Sequence, residues 1–265
     1  TPNETRHPHN LEHTAGGSSS GTGAAVADNM VPIAFGNQTA GSLIRPAAFC
    51  GVYRFKPTHG TTDGAGILPL QLYFDTLGYM ARDVEDIQHF YGIVSGESKL
   101  ETWPHDRPPK IGFCQTYQWD FAEPASRQAL HDTAKQLAQN GAEVLPFSLP
   151  EAYADLVAVH RAVLYHGISQ SLADDYENSR SLMSDGLIGV VEEGQAYSGE
   201  QFSKAFTIAE QCRASVNDCF GEFDAIICPS APGEAPRGRE TGSPIFQVSW
   251  TLLGVPCLNL PIGTG

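Results

Sequence analysis

The most informative segment of the chain runs from His13 to Thr58 and reads HTAGGSSSGTGAAVADNMVPIAFGNQTAGSLIRPAAFCGVYRFKPT. It holds two glycine–serine elements, GGSSSG at residues 16–21 and AGS at residues 40–42. Between them, residues 20–28 predict a helix of small residues and residues 31–35 predict a buried strand. Ser18 and Ser42 are 24 positions apart. That spacing allows the helix and the strand to fold back and bring the two serines together.

This pattern provides the parts of a hydroxyl-based acyl-transfer site. Glycine neighbours let a substrate carbonyl approach a serine closely. A glycine-rich turn can also direct several backbone N–H groups at a developing oxyanion. Serine is a weak nucleophile at its free pKa, so a base must lie within hydrogen-bond reach. A second serine can relay the proton to that base.

The same stretch resembles the amidase signature family, which includes malonamidase, fatty-acid amide hydrolase and the glutaminase subunit of tRNA-dependent amidotransferases. The resemblance covers residues 14–58 and continues through RPAAFCG at residues 45–51 and KPT at residues 56–58. It implies a Ser–cis-Ser–Lys triad in which Ser42 is the nucleophile. Ser18 is then the bridging serine, and the peptide bond between Gly17 and Ser18 is cis.

The resemblance also implies the surroundings of the two serines. N–H groups of the turn form the oxyanion hole, and further residues of both elements support it. The implied oxyanion-hole residues are Thr39, Ala40, Gly41 and Ser42, and the supporting residues are Gly16, Gly17, Ser19, Gln38 and Arg45.

The chain departs from the family pattern in three places. Ala40 stands where many members have glycine, and Ile44 stands where many have arginine, with Arg45 following it. The family lysine lies well upstream of the bridging serine, but none of the 17 residues before Ser18 is a lysine. We therefore expect the triad lysine to lie outside this chain and residues 1–265 alone to be catalytically silent.

The resemblance implies an α/β fold with a mixed β-sheet core covered by helices on both faces. Residues 1–265 would form one amidase signature domain that lacks its N-terminal part and its C-terminal end. The expected reaction is hydrolysis of a carboxamide to a carboxylic acid and ammonia or an amine through a serine acyl-enzyme.

Two alternatives stay open beside a free amidase. One is the A-type glutaminase subunit of a tRNA-dependent amidotransferase, which shares all of the motif residues and passes ammonia to a partner. The other is a non-catalytic fragment, which the missing lysine alone suggests. The resemblance implies a small-molecule amide substrate and no cofactor, and it is compatible with a homodimer.

Charge and composition exclude several other classes of protein. A net charge of −14 at pH 7 disfavours direct nucleic-acid binding, which needs a basic patch, and binding to anionic membranes. The sequence contains no run of 18 apolar residues, which is the pattern that predicts a membrane span. The six cysteines include no CxxC pair and are expected to be buried thiols in a reducing compartment, the cytoplasm.

Three further motifs have plainer interpretations. His7, His9 and His13 lack the cysteine or carboxylate partners of a metal site, so we expect no metal there. The sequence GGSSSGTG lacks the GK[ST] ending of a phosphate-binding P-loop. Lys56 belongs to the KPT turn and is interpreted as structural, as is His160 on a predicted helix.

Local patterns predict the remaining elements. Residues 1–15 and 61–82 are predicted as loops, and Asp83 is predicted to cap a helix that extends to residue 94. A strand–helix–strand pattern over residues 110–145 predicts a parallel pair of strands. Further helices are predicted at residues 151–173, 182–193, 198–220 and 244–253, and further strands at residues 51–56, 224–228 and 255–260.

Overall fold

A computed structural model of the protein describes residues 4–96 and 106–263. The strands are β1 (Arg6–His7), β2 (Asn10–Thr14), β3 (Ile33–Gln38), β4 (Tyr53–Lys56), β5 (Thr76–Ala81), β6 (Lys110–Cys114), β7 (Glu143–Phe147), β8 (Ala225–Ile227) and β9 (Cys257–Asn259). The helices are α1 (Ser20–Ala27), α2 (Ile44–Cys50), α3 (Val84–Ser95), α4 (Pro124–Gln139), α5 (Leu156–Ser171), α6 (Ala173–Asn178), α7 (Asp185–Ala196), α8 (Gly199–Phe220) and α9 (Val248–Leu253).

The candidate site is built on a four-stranded antiparallel sheet in the order β3-β5-β4-β9. Successive residues of a strand face opposite sides of a sheet. On one side, Met80 packs in a cluster with residues of α1 and α2. On the other side, the ring of Tyr79 contacts Phe90 and Tyr91 of α3. Helices therefore cover both faces of this sheet, as the family resemblance implies.

A second sheet is parallel, in the order β7-β6-β8. Its strands β6 and β7 are joined by α4, so the parallel pair predicted from the strand–helix–strand pattern is confirmed. The protein thus combines antiparallel and parallel sheets with helices, which is the predicted α/β class with mixed strand pairing. The largest apolar core lies where α5, α8 and α9 meet, around Leu156, Ala209 and Leu252, each of which is fully buried.

Two predictions from local sequence were wrong, and one helix was missed. Residues predicted as an N-terminal loop include the β1–β2 hairpin, in which Nε2 of the buried His7 donates a hydrogen bond to the carbonyl oxygen of Phe49. The segment before residue 82 contains β5, the strand between β3 and β4. Helix α2 was not predicted at all. In each case, partners distant in sequence outweigh local propensity.

The structure also bears on the expectations that the cysteines are free thiols and that the chain has no membrane span. All six cysteines are free thiols, and Cys50, Cys114 and Cys212 are buried. No helix within residues 4–96 and 106–263 combines the length and the apolarity that a membrane span requires.

The N-terminus of α3 confirms a local prediction. The side chain of Asp83 accepts a hydrogen bond from the backbone N–H of Asp86 at 2.7 Å. We expect Asp83→Ala to lower the free energy of unfolding by about 1 kcal/mol because it removes this acceptor. Urea unfolding measures the loss. Asp83→Asn keeps an acceptor and should lose only a fraction of that amount, so equal losses in both variants would contradict the capping role.

Candidate active site

The loop that holds Ser18 leads into α1. Its Gly17–Ser18 peptide bond is cis, as the resemblance implies. The carbonyl oxygen of Gly16 accepts a hydrogen bond from the hydroxyl of Ser20 at 2.5 Å, and the N–H of Gly16 donates to the hydroxyl of Thr14 at 3.0 Å. Ser18 itself is exposed between the buried residues Gly17 and Ser20 and the half-buried Ser19. The loop is therefore anchored on both sides of an accessible hydroxyl.

The turn that holds Ser42 begins where β3 ends, and the side chain of Gln38 shapes it. The Oε1 atom of this buried residue accepts hydrogen bonds from the N–H groups of Leu43 and Ile44, both at 3.0 Å. Its Nε2 atom donates to Oγ1 of Thr251 on α9 at 2.8 Å. The Thr251 hydroxyl in turn donates to the carbonyl oxygen of Ala40 at 2.6 Å.

Two backbone hydrogen bonds close the turn and connect it to the Ser18 loop. The N–H of Ser19 donates to the carbonyl oxygen of Ser42 at 3.1 Å, and the N–H of Arg45 donates to the carbonyl oxygen of Gly41 at 3.0 Å. The residue after Ser18 is thereby bonded to Ser42. The structure brings the two serine-containing elements together, as the sequence predicts.

Arg45, which follows the Ser42 turn, connects it to the Ser18 loop through its side chain. Its Nε and Nη2 atoms donate to the carbonyl oxygen of Gly17 at 3.0 and 2.5 Å, and Nη1 donates to the carbonyl oxygen of Gly242 at 2.5 Å. Burial lowers the pKa of the guanidinium to about 10, so it remains charged at neutral pH. A charged donor fork on one carbonyl is a strong fixed contact.

Thr39 is held by two residues that the sequence did not assign to the site. Its hydroxyl donates to Oδ1 of Asp75 at 2.5 Å. Its carbonyl oxygen accepts from Nε2 of His160 at 2.9 Å. The His160 ring is buried and stacks on Phe74, with ring centroids 4.5 Å apart. Burial lowers the pKa of His160 to about 4, so the imidazole is neutral and must carry its proton on Nε2.

Gly41 sits where a side chain would collide. A Cβ atom there would lie 2.7 Å from Oε1 of Gln247 and 2.9 Å from Cβ of Pro244. Within the described residues, the N–H groups of Ala40, Gly41 and Ser42 donate to no acceptor. Beside a half-buried serine, the turn therefore has three backbone N–H groups that have no acceptor among the described residues.

Two cavities border residues that contact the turn. One has a volume of about 350 Å³ and is lined by Asn37, Asp75 and the loop around Asp63. The other, of about 630 Å³, is largely apolar and lies between β8, β9 and α4, with Ile44 and Gln247 in its wall. Neither cavity is lined by Ser18 or by residues 39–42 of the turn.

No described basic side chain forms a hydrogen bond with Ser18 or Ser42. Lys56 is buried in β4, where its Nζ atom donates to the carbonyl oxygen of Pro57 at 3.0 Å. Burial first, and then the cations Arg54 and Arg213, lower the pKa of Lys56 to about 8, against an opposing effect of Cys257. Lys110 pairs with Glu222 at 2.7 Å, and Lys99 lies outside the described residues. The structural interpretation of Lys56 is consistent with these contacts.

The N-terminal histidines are engaged in backbone contacts. His7 bonds to Phe49 through Nε2, and Nδ1 of His13 lies 2.5 Å from the carbonyl oxygen of Ala235. The N–H of His9 donates to Nδ1 of His7 at 3.2 Å. These bonds fix the hairpin against α2 and against the segment around residue 235.

The likeness of this chain to known proteins extends well beyond the two serine elements. A profile of the Amidase family matches residues 2–263. The chain belongs to the amidase family. The signature resemblance of residues 14–58 therefore extends over nearly the whole sequence.

Individual relatives agree with this assignment. The A-type subunit of glutamyl-tRNA(Gln) amidotransferase from Clostridium botulinum (strain Eklund 17B / Type B) is 29% identical over 304 residues, covering 98% of this chain and 63% of that protein. A crystal structure of an amidase has a TM-score of 0.90 at 26% identity, covering 98% of this chain and 62% of that one. An inhibitor-bound complex that bears on the evolutionary origins of an s-triazine catabolic enzyme has a TM-score of 0.83 at 25% identity, covering 96% and 60%.

This chain spans about 63% of the length of the curated relative it matches. Three residues that shape its turn were not assigned to the site from the sequence. Asp75, His160 and Thr251 lie 36, 121 and 211 positions from their partners in the turn. No local spacing connects residues so far apart, although Asp75 begins a stretch that resembles the family sequence D-x-x-G-x-x-A-R.

The buried neutral His160 makes stability depend on pH. Its folded pKa of about 4 lies below the ordinary value of 6.5, so the unfolded state takes up the proton first as the pH falls. Its contribution to stability is complete above pH about 6.5 and is lost as the pH falls towards about 4. We expect His160→Gln, which keeps a donor for Thr39 but does not titrate, to lose less stability over this range.

Urea unfolding of both proteins at several pH values measures this difference. His7 and His59 also have lowered pKa values because of burial, but both proteins share them, so they cancel in the comparison. Identical pH dependence in the wild type and in His160→Gln would show that His160 does not titrate as described.

Proposed function

We propose that this amidase hydrolyses a carboxamide to a carboxylic acid and ammonia or an amine through an acyl-enzyme on Ser42. The Ser42 hydroxyl attacks the amide carbonyl carbon and passes its proton to Ser18. Ser18 passes that proton to a base and later returns a proton to the leaving amine. Water then attacks the acyl-enzyme and releases the acid.

One observation carries this proposal. A half-buried serine follows a turn whose N–H groups at Ala40, Gly41 and Ser42 are available as donors, and its carbonyl is bonded to the residue after Ser18. A nucleophile, a relay and oxyanion donors in one place are what acyl transfer to serine requires. In this proposal Thr39 completes the oxyanion turn.

The supporting residues have separate tasks in this proposal. Gln38 orders the turn by accepting from the N–H groups of Leu43 and Ile44, while Arg45 fixes the carbonyl of Gly17 that precedes the relay serine. Gly16 and Ser19 anchor the relay loop at its two ends.

The base that draws the proton from Ser18 is proposed to be a lysine outside residues 1–265. This is supported by the absence of any hydrogen bond from a described basic side chain to Ser18, and by the length of the curated relative, of which this chain spans about 63%. We propose that residues 1–265 belong to a single amidase domain completed by further polypeptide.

A second candidate is the glutaminase subunit of a tRNA-dependent amidotransferase. It is favoured by the name of the matched relative, the A-type subunit of glutamyl-tRNA(Gln) amidotransferase. In that case glutamine would be the amide, and ammonia would pass to a partner protein. For either function we propose a reducing compartment such as the cytoplasm, because all six cysteines are free thiols.

Ammonia release from glutamine, asparagine and simple aliphatic and aromatic amides tests these proposals. We expect residues 1–265 alone to release no ammonia above background, because no basic side chain of the described residues forms a hydrogen bond with Ser18. If further polypeptide completes the domain as proposed, a longer polypeptide that includes it together with residues 1–265 should turn over at least one amide.

The substrate pattern distinguishes the two functions. Turnover of several simple amides without a partner supports a free amidase, whereas activity confined to glutamine and stimulated by a partner protein supports the glutaminase. Comparable turnover by residues 1–265 alone would show that another base exists among them, and the Ser–Ser–Lys assignment would be wrong.

A further inference from the structure

We propose that Thr251 and His160 are positioning residues, which hold the peptide groups of the oxyanion turn so that its N–H groups face the reacting carbonyl. This inference rests on the proposed function of Ser42. Neither residue is a nucleophile or a base in this proposal. Each acts on the reaction through one backbone carbonyl of the turn.

The direction of the Thr251 proton follows from the hydrogen-bond network. Oε1 of Gln38 accepts from two backbone N–H groups, which fixes the orientation of that side-chain amide. Its Nε2 must then donate to Thr251 Oγ1, so the hydroxyl is an acceptor there and keeps one proton to donate. The carbonyl oxygen of Ala40 lies 2.6 Å away and that of Gln247 lies 3.0 Å away.

The proton of the Thr251 hydroxyl is directed at the carbonyl oxygen of Ala40, which is the nearer of its two possible acceptors. The carbonyl oxygen of Gln247 already accepts the backbone N–H of Thr251 in α9 at 2.9 Å, whereas Thr251 is the partner that the structure gives to the Ala40 carbonyl. Because Thr251 is buried, no bulk water competes for either oxygen. The Thr251 hydroxyl therefore holds the carbonyl of Ala40.

His160 holds the preceding peptide group of the turn, between Thr39 and Ala40, in the same way. Its neutral ring has a proton on Nε2 for the carbonyl oxygen of Thr39, and stacking on Phe74 fixes the plane of the ring. His160 and Thr251 belong to α5 and α9, which meet in the largest core. The two donors are therefore carried by rigid elements.

Peptide geometry determines where the N–H groups of Ala40 and Gly41 point once the carbonyls of Thr39 and Ala40 are held. The only cis peptide bond among the described residues is Gly17–Ser18, so the bonds of the turn are trans. In a planar trans peptide the C=O and N–H groups point in opposite directions. Carbonyls held by His160 and Thr251 therefore direct the N–H groups of Ala40 and Gly41 away from α5 and α9.

Without these two donors, a peptide group of the turn can rotate and replace an N–H with a carbonyl oxygen. That exchange would put a partial negative charge where the oxyanion develops. Loss of one oxyanion donor costs about 10²–10³ in rate. The cost falls on the transition state and thus on kcat, because the ground-state carbonyl depends less on these donors.

Two pairs of variants test the proposal. Thr251→Val keeps the shape but removes the hydroxyl, and Thr251→Ser restores it. His160→Phe keeps the stacked ring but removes the donor, and His160→Gln restores a donor. Crystal structures of residues 1–265 with each change show the orientation of the Thr39 and Ala40 carbonyls. The positioning role can be tested if either Thr251→Val or His160→Phe folds.

We expect the Ala40 carbonyl to rotate in Thr251→Val and the Thr39 carbonyl to rotate in His160→Phe, with wild-type orientation in Thr251→Ser and His160→Gln. In the longer polypeptide, kcat for amide hydrolysis should fall about 10²-fold in Thr251→Val, with KM little changed and recovery in Thr251→Ser.

Carbonyls that stay in place without their donors would overturn the positioning role, as would a rotated carbonyl with unchanged kcat. If the longer wild-type polypeptide proves inactive, the serine chemistry of the proposed function fails. The carbonyl orientations in the crystal structures would still decide whether Thr251 and His160 hold the turn.

Discussion

The side-chain amide of Gln38 is the constraint on which the arrangement of the turn depends. It accepts hydrogen bonds from the N–H groups of Leu43 and Ile44 at the start of α2 and orients the Thr251 hydroxyl, which in turn holds the Ala40 carbonyl. Because Gln38 is buried, each of these bonds would cost desolvation if it were left unmade. One side chain at the end of β3 thus joins a strand, a turn and two helices.

The sheet beneath the turn explains how a serine loop can approach it so closely. Gly36 of β3 lies opposite Gly78 of β5. A Cβ atom on Gly36 would lie 2.4 Å from the Leu43 side chain and 2.7 Å from the Ser19 hydroxyl. The absence of side chains there makes room for the residue after Ser42 and the residue after Ser18. The two serine elements therefore meet above a pair of glycines.

The sequence predicts much of this arrangement because its signals are local. The helix and strand between Ser18 and Ser42, the cap at Asp83 and the parallel β6–β7 pair each depend on residues close in the chain. The β1–β2 hairpin could not be predicted, because it rests on contacts such as the pairing of His13 with Arg237. For the same reason, the contacts of His160 and Thr251 with the turn became visible only in the folded protein.

The central claim is that Ser42 carries the acyl group. The most direct measurement is to treat the longer polypeptide with a fluorophosphonate and locate the adduct by mass spectrometry. We expect an adduct on Ser42, its loss in Ser42→Ala, and unchanged labelling in Ser203→Ala, which alters an exposed residue of α8. An adduct on a different serine, with Ser42 unmodified, would show that Ser42 is not the nucleophile.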